Sequence, residues 1–95
     1  MPHRKAAWVA LTLPAARELA RFGIRVMAIA PGAVDTPMIG TVSEELQQSI
    51  LSSVPFPHRF VKPEEFAALA LAIAQNPMLN GSVIRLDGAA RLGPK

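Results

Sequence analysis

Between residues 5 and 22 the apolar positions recur every three or four residues: Trp8, Leu11, Ala15, Leu19 and Phe22. That is the helical period, and it predicts a helix over residues 5–21. Pro14 lies inside it and has no backbone N–H to give. The element should therefore kink near Ala10–Leu11, or restart with Thr12 as its cap and Pro14 in the first turn. Gly23 suits a left-handed cap at the end. From Ile24 to Ala30 the period disappears. Ile24-Arg25-Val26-Met27-Ala28-Ile29-Ala30 is nearly continuous in apolar residues and stops at Pro31-Gly32, the pattern of a buried parallel strand.

Residues 31–42 read as a loop. Ser43 then caps a helix over 43–53, with Glu44 and Glu45 in its first turn and Leu46, Ile50 and Leu51 on its apolar side. Val54-Pro55-Phe56-Pro57 ends it. Lys62-Pro63-Glu64-Glu65 opens a further helix, which carries Phe66, Leu69, Ala70 and Ile73 along one side and stops at Asn76-Pro77. Asn80-Gly81 signals a turn. Ser82–Asp87 reads as a second strand, and a short polar tail follows Gly88-Ala89-Ala90. The order predicts an α/β chain with two parallel strands and three helices. Parallel sheets are covered by helices on both faces, and two strands are too few for a free-standing one. One edge of strand 24–30 would stay open and apolar. The expected fold is the C-terminal part of a Rossmann-like, doubly wound parallel sheet. Residues 1–95 would be one fragment of a single domain, with no second domain.

Composition sharpens this reading. In 95 residues the apolar share is 51% and the charged share 18%, with a mean hydropathy of +0.28. Such a chain is too apolar for intrinsic disorder. It is also more apolar than a small, surface-rich domain calls for, which points to surface meant for a partner or for the rest of a larger domain. The absence of cysteine removes disulfide scaffolds and thiolate metal sites. No apolar run reaches the length of a membrane-spanning helix. Arg4-Lys5 before an apolar stretch resembles a signal peptide, but Pro14 interrupts it and no small-residue cleavage site follows, so a cytoplasmic chain is expected. The net charge of +3 is scattered along the chain. Nucleic-acid binders gather their basic residues on one face, so neither nucleic acid nor membrane is an expected partner. His3 and His58 have no ligand-spaced companions, so no metal site is expected. The serines at 43, 49, 52 and 53 lack a nucleophile-elbow context. Asp87-Gly88 reads as a turn and Asp35 as a solvated loop charge.

The order Gly23-Ile24-Arg25-Val26, then Ala30-Pro31-Gly32-Ala33-Val34-Asp35-Thr36-Pro37-Met38, resembles the penultimate-strand signature of the short-chain dehydrogenases/reductases. Asn80-Gly81 with Ile84-Arg85-Leu86-Asp87-Gly88-Ala89 resembles that family's last strand. With Thr12-Leu13-Pro14 and Val54-Pro55-Phe56-Pro57, the look is closest to the family's type-2 3-hydroxyacyl-CoA dehydrogenase branch. The resemblance runs over essentially the whole chain. It implies an NAD(P)-dependent oxidoreductase acting on a secondary alcohol or ketone, such as a 3-hydroxyacyl thioester. The cofactor would be NAD or NADP, with NAD the one favoured, and the assembly a homo-oligomer.

In open α/β sheets ligands bind beyond the carboxyl ends of the strands, where Pro31-Gly32 falls. Gly32 would admit a flat ring close to the backbone, and Pro31 would fix the exit direction. Backbone groups near Val34 could pair with a carboxamide, and Thr36 offers a hydroxyl. The resemblance assigns Pro31, Gly32, Val34 and Thr36 to the nicotinamide end of the cofactor. Aligned on Thr12-Leu13-Pro14, Lys5 takes the place of the family's catalytic lysine. Met1 stands where the family has a tyrosine. The sequence contains no Tyr and no G-x-G-x-x-G run, so the 95-residue chain alone is expected to be inactive. Helix 43–53 and Val54–Phe60 would form a mobile substrate lid, or simply pack as a loop. The alternative function is a truncated module that oligomerises with a full-length relative.

Overall fold

The computed structural model describes the backbone of residues 2–90 and the side chains of residues 10–90. Helix α1 spans Pro2–Leu19 and runs without a break through Pro14. The restart at Thr12 is not seen. The physical reason is packing on both sides of the proline. Thr12 and Ala16, one turn apart, are buried. Gly81 lies so close that a Cβ there would stand 3.0 Å from Leu13 Cδ1 and 3.4 Å from Ala16 Cβ. Tertiary contact outweighs the one backbone bond that Pro14 forfeits. A 3-10 turn over Ala20–Phe22 follows, closed by Gly23 at φ 73°, the expected left-handed cap.

Strand β1 covers Ala28–Pro31, shorter than the predicted 24–30. Ile24–Met27 precede the ladder, and their partners are not strand residues. The Val26 amide donates to Asn80 Oδ1 at 2.9 Å, and the Gly81 amide donates to Val26 O at 2.7 Å. The second strand begins only after the Asn80-Gly81 turn, so no ladder is available before Ala28, whose amide donates to Ser82 O at 3.1 Å.

Between the strands lie three helices: α2 at Pro37–Gly40, α3 at Glu44–Leu51 and α4 at Pro63–Gln75. The described residues thus hold four α-helices, not three. The extra one, α2, sits inside the predicted loop 31–42, where Thr36 caps it and Pro37 takes its first position. Ser43 caps α3 as expected, its Oγ accepting from the Leu46 amide at 3.2 Å. At the start of α4, Glu65 turns back to accept from the Lys62 amide at 2.8 Å. Strand β2 covers Val83–Leu86. The two strands pair in parallel, Ala28 with Val83 through Pro31 with Leu86, as predicted.

The core is thin. Ala16 and Val54 are the only buried hydrophobic residues among those described, while Leu11, Leu13, Phe22, Phe66 and Leu71 stand exposed. On α4 the half-buried positions are Glu65, Leu69 and Ile73, four residues apart, and the rest of that helix is exposed. This matches the excess of apolar surface expected from composition.

Candidate functional site

At the carboxyl end of the sheet, Pro31 closes β1 opposite Leu86. The Gly32 amide donates to Leu86 O at 2.9 Å. A Cβ on Gly32 would lie 2.9 Å from Asp87 Cβ and 3.2 Å from Asp87 Cα. Glycine is therefore required here by the neighbouring strand end, whether or not a ring ever approaches.

Two residues on, the chain makes a parallel bridge between Val34 and Val61. Its bonds come from the flanking groups: the Val61 amide to Ala33 O at 2.9 Å, and the Asp35 amide to Val61 O at 2.8 Å. In a parallel bridge of this kind the central residue's own N–H and C=O point to the other side. Those of Val34 bond to no described residue. A half-buried peptide group with donor and acceptor side by side is a match for a primary carboxamide. Thr36 is half-buried too. Its Oγ1 accepts from the Ile39 amide at 3.4 Å, which leaves the hydroxyl proton for an outside acceptor. The structure thus strings Pro31, Gly32, Val34 and Thr36 along one stretch of chain leaving β1. Lys5 is on α1, and its side chain lies outside the described residues, as does Met1 entirely.

The floor beside this stretch is the turn after β2. Asp87 is only 7% exposed. Its Oδ2 receives Arg85 Nε at 2.9 Å and Nη2 at 2.6 Å, and its Oδ1 accepts from the Ala89 amide at 3.1 Å. The turn expected at Asp87-Gly88 is present, and its carboxylate is paired. Gly88 and Ala89 both have positive φ, 61° and 67°. A cavity of about 230 Å³ opens between this turn and the chain returning to α4, with Arg59, Phe60 and Glu65 in its wall. Its charges are already matched. Arg59 grips Glu65 with both nitrogens, at 3.0 and 2.7 Å. The Arg59 bonds, then that from the Lys62 amide, bring the Glu65 carboxyl from its ordinary 4.5 down to about 2. No group of three metal-ligating side chains occurs among the described residues.

One residue of consequence escaped the sequence reading, which counted it as scattered surface charge. Arg25 caps the end of α4. Its Nη1 donates to Ile73 O (3.0 Å), Asn76 O (3.1 Å) and Leu79 O (3.0 Å), and its Nη2 to Ala74 O (2.9 Å). The available signal was a lone charge in the middle of an apolar run, which must find partners wherever it is covered.

A family model described as "Enoyl-(Acyl carrier protein) reductase" matches residues 1–89. The chain belongs to the short-chain dehydrogenase/reductase family, and its two strands and four helices are part of that family's Rossmann fold. More particularly, it is similar to 3-hydroxyacyl-CoA dehydrogenase type-2 of Drosophila melanogaster, 50% identical over 90 residues, covering 95% of this chain and 35% of that protein. The Homo sapiens protein of the same name is 52% identical over 90 residues, covering 95% of this chain and 34% of its own length. Among solved structures, 3-hydroxyacyl-CoA dehydrogenase type-2 from Mycobacterium avium superposes with a TM-score of 0.87 at 46% identity, covering 96% of this chain and 35% of that one. The chain spans about a third of the length of the relatives it matches. No described helix is long and apolar enough to cross a membrane.

Proposed function

We propose that this chain forms the nicotinamide side of an NAD(P)-dependent dehydrogenase that interconverts a secondary alcohol and a ketone, with a 3-hydroxyacyl thioester as substrate class and NAD as the cofactor. The observation that carries the reading is Val34, just beyond the carboxyl end of β1, whose peptide N–H and C=O are turned away from its bridge and bond to no described residue. Those two groups would hold the cofactor's carboxamide. The Thr36 hydroxyl would donate to the carboxamide or to a phosphate, and Pro31-Gly32 would set the path of the chain beneath the ring. When bound, the cofactor supplies the hydride acceptor or donor at its nicotinamide C4. The likeness to two 3-hydroxyacyl-CoA dehydrogenases at about half identity supports the substrate class.

By the same likeness Lys5 would bind the nicotinamide ribose and lower the pKa of a general acid/base tyrosine. The 95 residues contain no tyrosine, so the chain by itself should not turn over substrate. Residues 1–95 are read as the C-terminal portion of one dehydrogenase domain, acting in the cytoplasm as a homo-oligomer. Titrating the chain with NAD⁺ should shift the amide resonances of Gly32, Val34 and Thr36 and leave Ser49 in place; unmoved resonances at 32–36 would defeat the assignment. Absorbance at 340 nm with NAD⁺ and a 3-hydroxyacyl-CoA should stay flat for the homogeneous chain, and cofactor-dependent turnover would refute its inactivity. A second reading, a non-catalytic module that pairs with a full-length relative, is favoured by the exposed Phe66 and Leu71 on α4. Co-purification with such a relative tests it.

A further inference from the structure

Asn80-Gly81 does more than turn the chain into β2. The sequence holds two asparagines. Asn76 precedes Pro77, whose nitrogen carries no hydrogen, whereas Asn80 precedes a glycine. The backbone nitrogen after an asparagine is a nucleophile within reach of that side chain, and glycine, with no Cβ, hinders it least. Asn80 is also exposed to water. In the fold, both reacting groups are held by one residue. The Val26 amide donates to Asn80 Oδ1 at 2.9 Å, and the Gly81 amide donates to Val26 O at 2.7 Å. The next bond along, from the Ala28 amide to Ser82 O at 3.1 Å, carries this clamp straight into the β1–β2 ladder. Neither member of the pair is readily replaced. Gly81 has φ 81°, and a Cβ on it would stand 3.0 Å from Leu13 Cδ1. Asn80 supplies the acceptor that the Val26 amide uses before the ladder starts.

We propose that Asn80 is a site of self-modification, closed while Val26 holds it and opened when β1 and β2 part. The Gly81 nitrogen cannot attack while its hydrogen is bonded to Val26 O. Once released, it attacks Asn80 Cγ. A bond from Gly81 N to Cγ forms, the Cγ–Nδ2 bond breaks, and Nδ2 leaves as ammonia with the Gly81 amide proton. Water then opens the resulting cyclic imide at either of its carbonyls. One opening leaves aspartate at position 80, which keeps an oxygen for the Val26 amide. The other leaves isoaspartate, which inserts a methylene into the main chain ahead of Gly81. That product offsets the Gly81 amide from Val26 O and shifts the ladder beyond it, so the clamp does not close again. The site therefore records unfolding: each parting of the strands exposes the chain to a change that is not reversed on refolding.

Incubation of the 95-residue chain in mildly alkaline buffer, with and without denaturing urea, tests this. Conversion at Asn80 is followed by peptide mass spectrometry, with the aspartate and isoaspartate products separated by chromatography, and Gly81 amide exchange is measured in parallel. Conversion in native buffer should be at least about tenfold slower than in urea, and slower by the factor that protects the Gly81 amide, to within about threefold, because both need the same opening. Arg25→Met, which loosens the tie between the start of β1 and α4 without altering the clamp residues, should speed Asn80 conversion and Gly81 exchange together. Asn76 should stay unconverted throughout. The proposal is overturned if Asn80 converts as fast in native buffer as in urea, if it converts in neither, or if Arg25→Met speeds Gly81 exchange and leaves conversion unchanged. No cofactor enters the assay, so its outcome is independent of the proposed function.

Discussion

Replacing Arg25 by methionine should be among the most damaging single changes to this chain. The last carbonyls of a helix lack an amide partner within it, and the Arg25 guanidinium donates to two in the last turn of α4, Ile73 O and Ala74 O, and to Asn76 O and Leu79 O beyond it, at 2.9–3.1 Å. Methionine keeps much of the apolar stem but no donor. Two of the bonds are half-buried, those to Ile73 O and Leu79 O, and are worth about 1 kcal/mol each. The exposed pair, to Asn76 O and Ala74 O, adds less. The positive charge at the negative end of the helix dipole adds about 0.5 kcal/mol. The sum is a loss of about 2–3 kcal/mol, roughly 30- to 150-fold in the folding equilibrium. Urea unfolding followed by far-ultraviolet circular dichroism measures it, with a midpoint shift of about 2–3 M for a slope near 1 kcal/mol/M. Arg25→Lys should fall between, since an ammonium keeps the charge but cannot reach four oxygens as a planar fork does. A methionine variant within about 0.3 kcal/mol of the parent would refute the reasoning. A lysine variant equal to the parent would show that charge matters and the fork does not.

Gly32→Ala should cost about 1–3 kcal/mol, because its Cβ would meet Asp87 at 2.9 Å and must pry β1 from β2 at their carboxyl ends; the Gly32 and Asp35 amides should lose exchange protection before Ala28 does. Glu65→Gln tests the ion pair through pH. The Glu65 carboxyl is lowered in the folded chain from 4.5 to about 2, so its contribution is complete above about 4.5 and is lost as pH falls toward 2. Stability measured across that window should fall less steeply in the glutamine variant, and parallel pH profiles would count against the pairing.

Where local chemistry decided an outcome, the sequence could be read directly. Ser43 before two glutamates marks the start of α3, Gly23 marks a left-handed end, and Asn80-Gly81 marks the turn into β2. The same signals were present at Thr36-Pro37, a capping residue followed by a proline at the first helical position, yet α2 is short enough for its surroundings to read as loop. What stayed hidden depends on residues some fifty positions apart. The strand pattern of Ile24–Met27 is cut short by the Asn80 side chain and the Gly81 amide. Pro14 is tolerated because Gly81 lets α1 pack closely. The task of Arg25 is set by carbonyls of α4. At the candidate site the residues from Pro31 to Thr36 were legible as a motif. The reason Gly32 must be glycine was not, because the obstructing atoms belong to Asp87.

The ties that close this fold also dictate when it can form during synthesis. Arg25 reaches Leu79 O across 54 positions, Val26 reaches Asn80 across the same span, and Ala28 waits for Val83. Until residues 79–86 have left the ribosome, the edge of β1 that pairs with β2 has no partner. Helices α3 and α4 can form on the way, since their bonds are local. The β1 edge that β2 covers therefore stays unpaired while some fifty further residues are made, and it is in that interval, more than in the finished fold, that a chaperone would find something to hold.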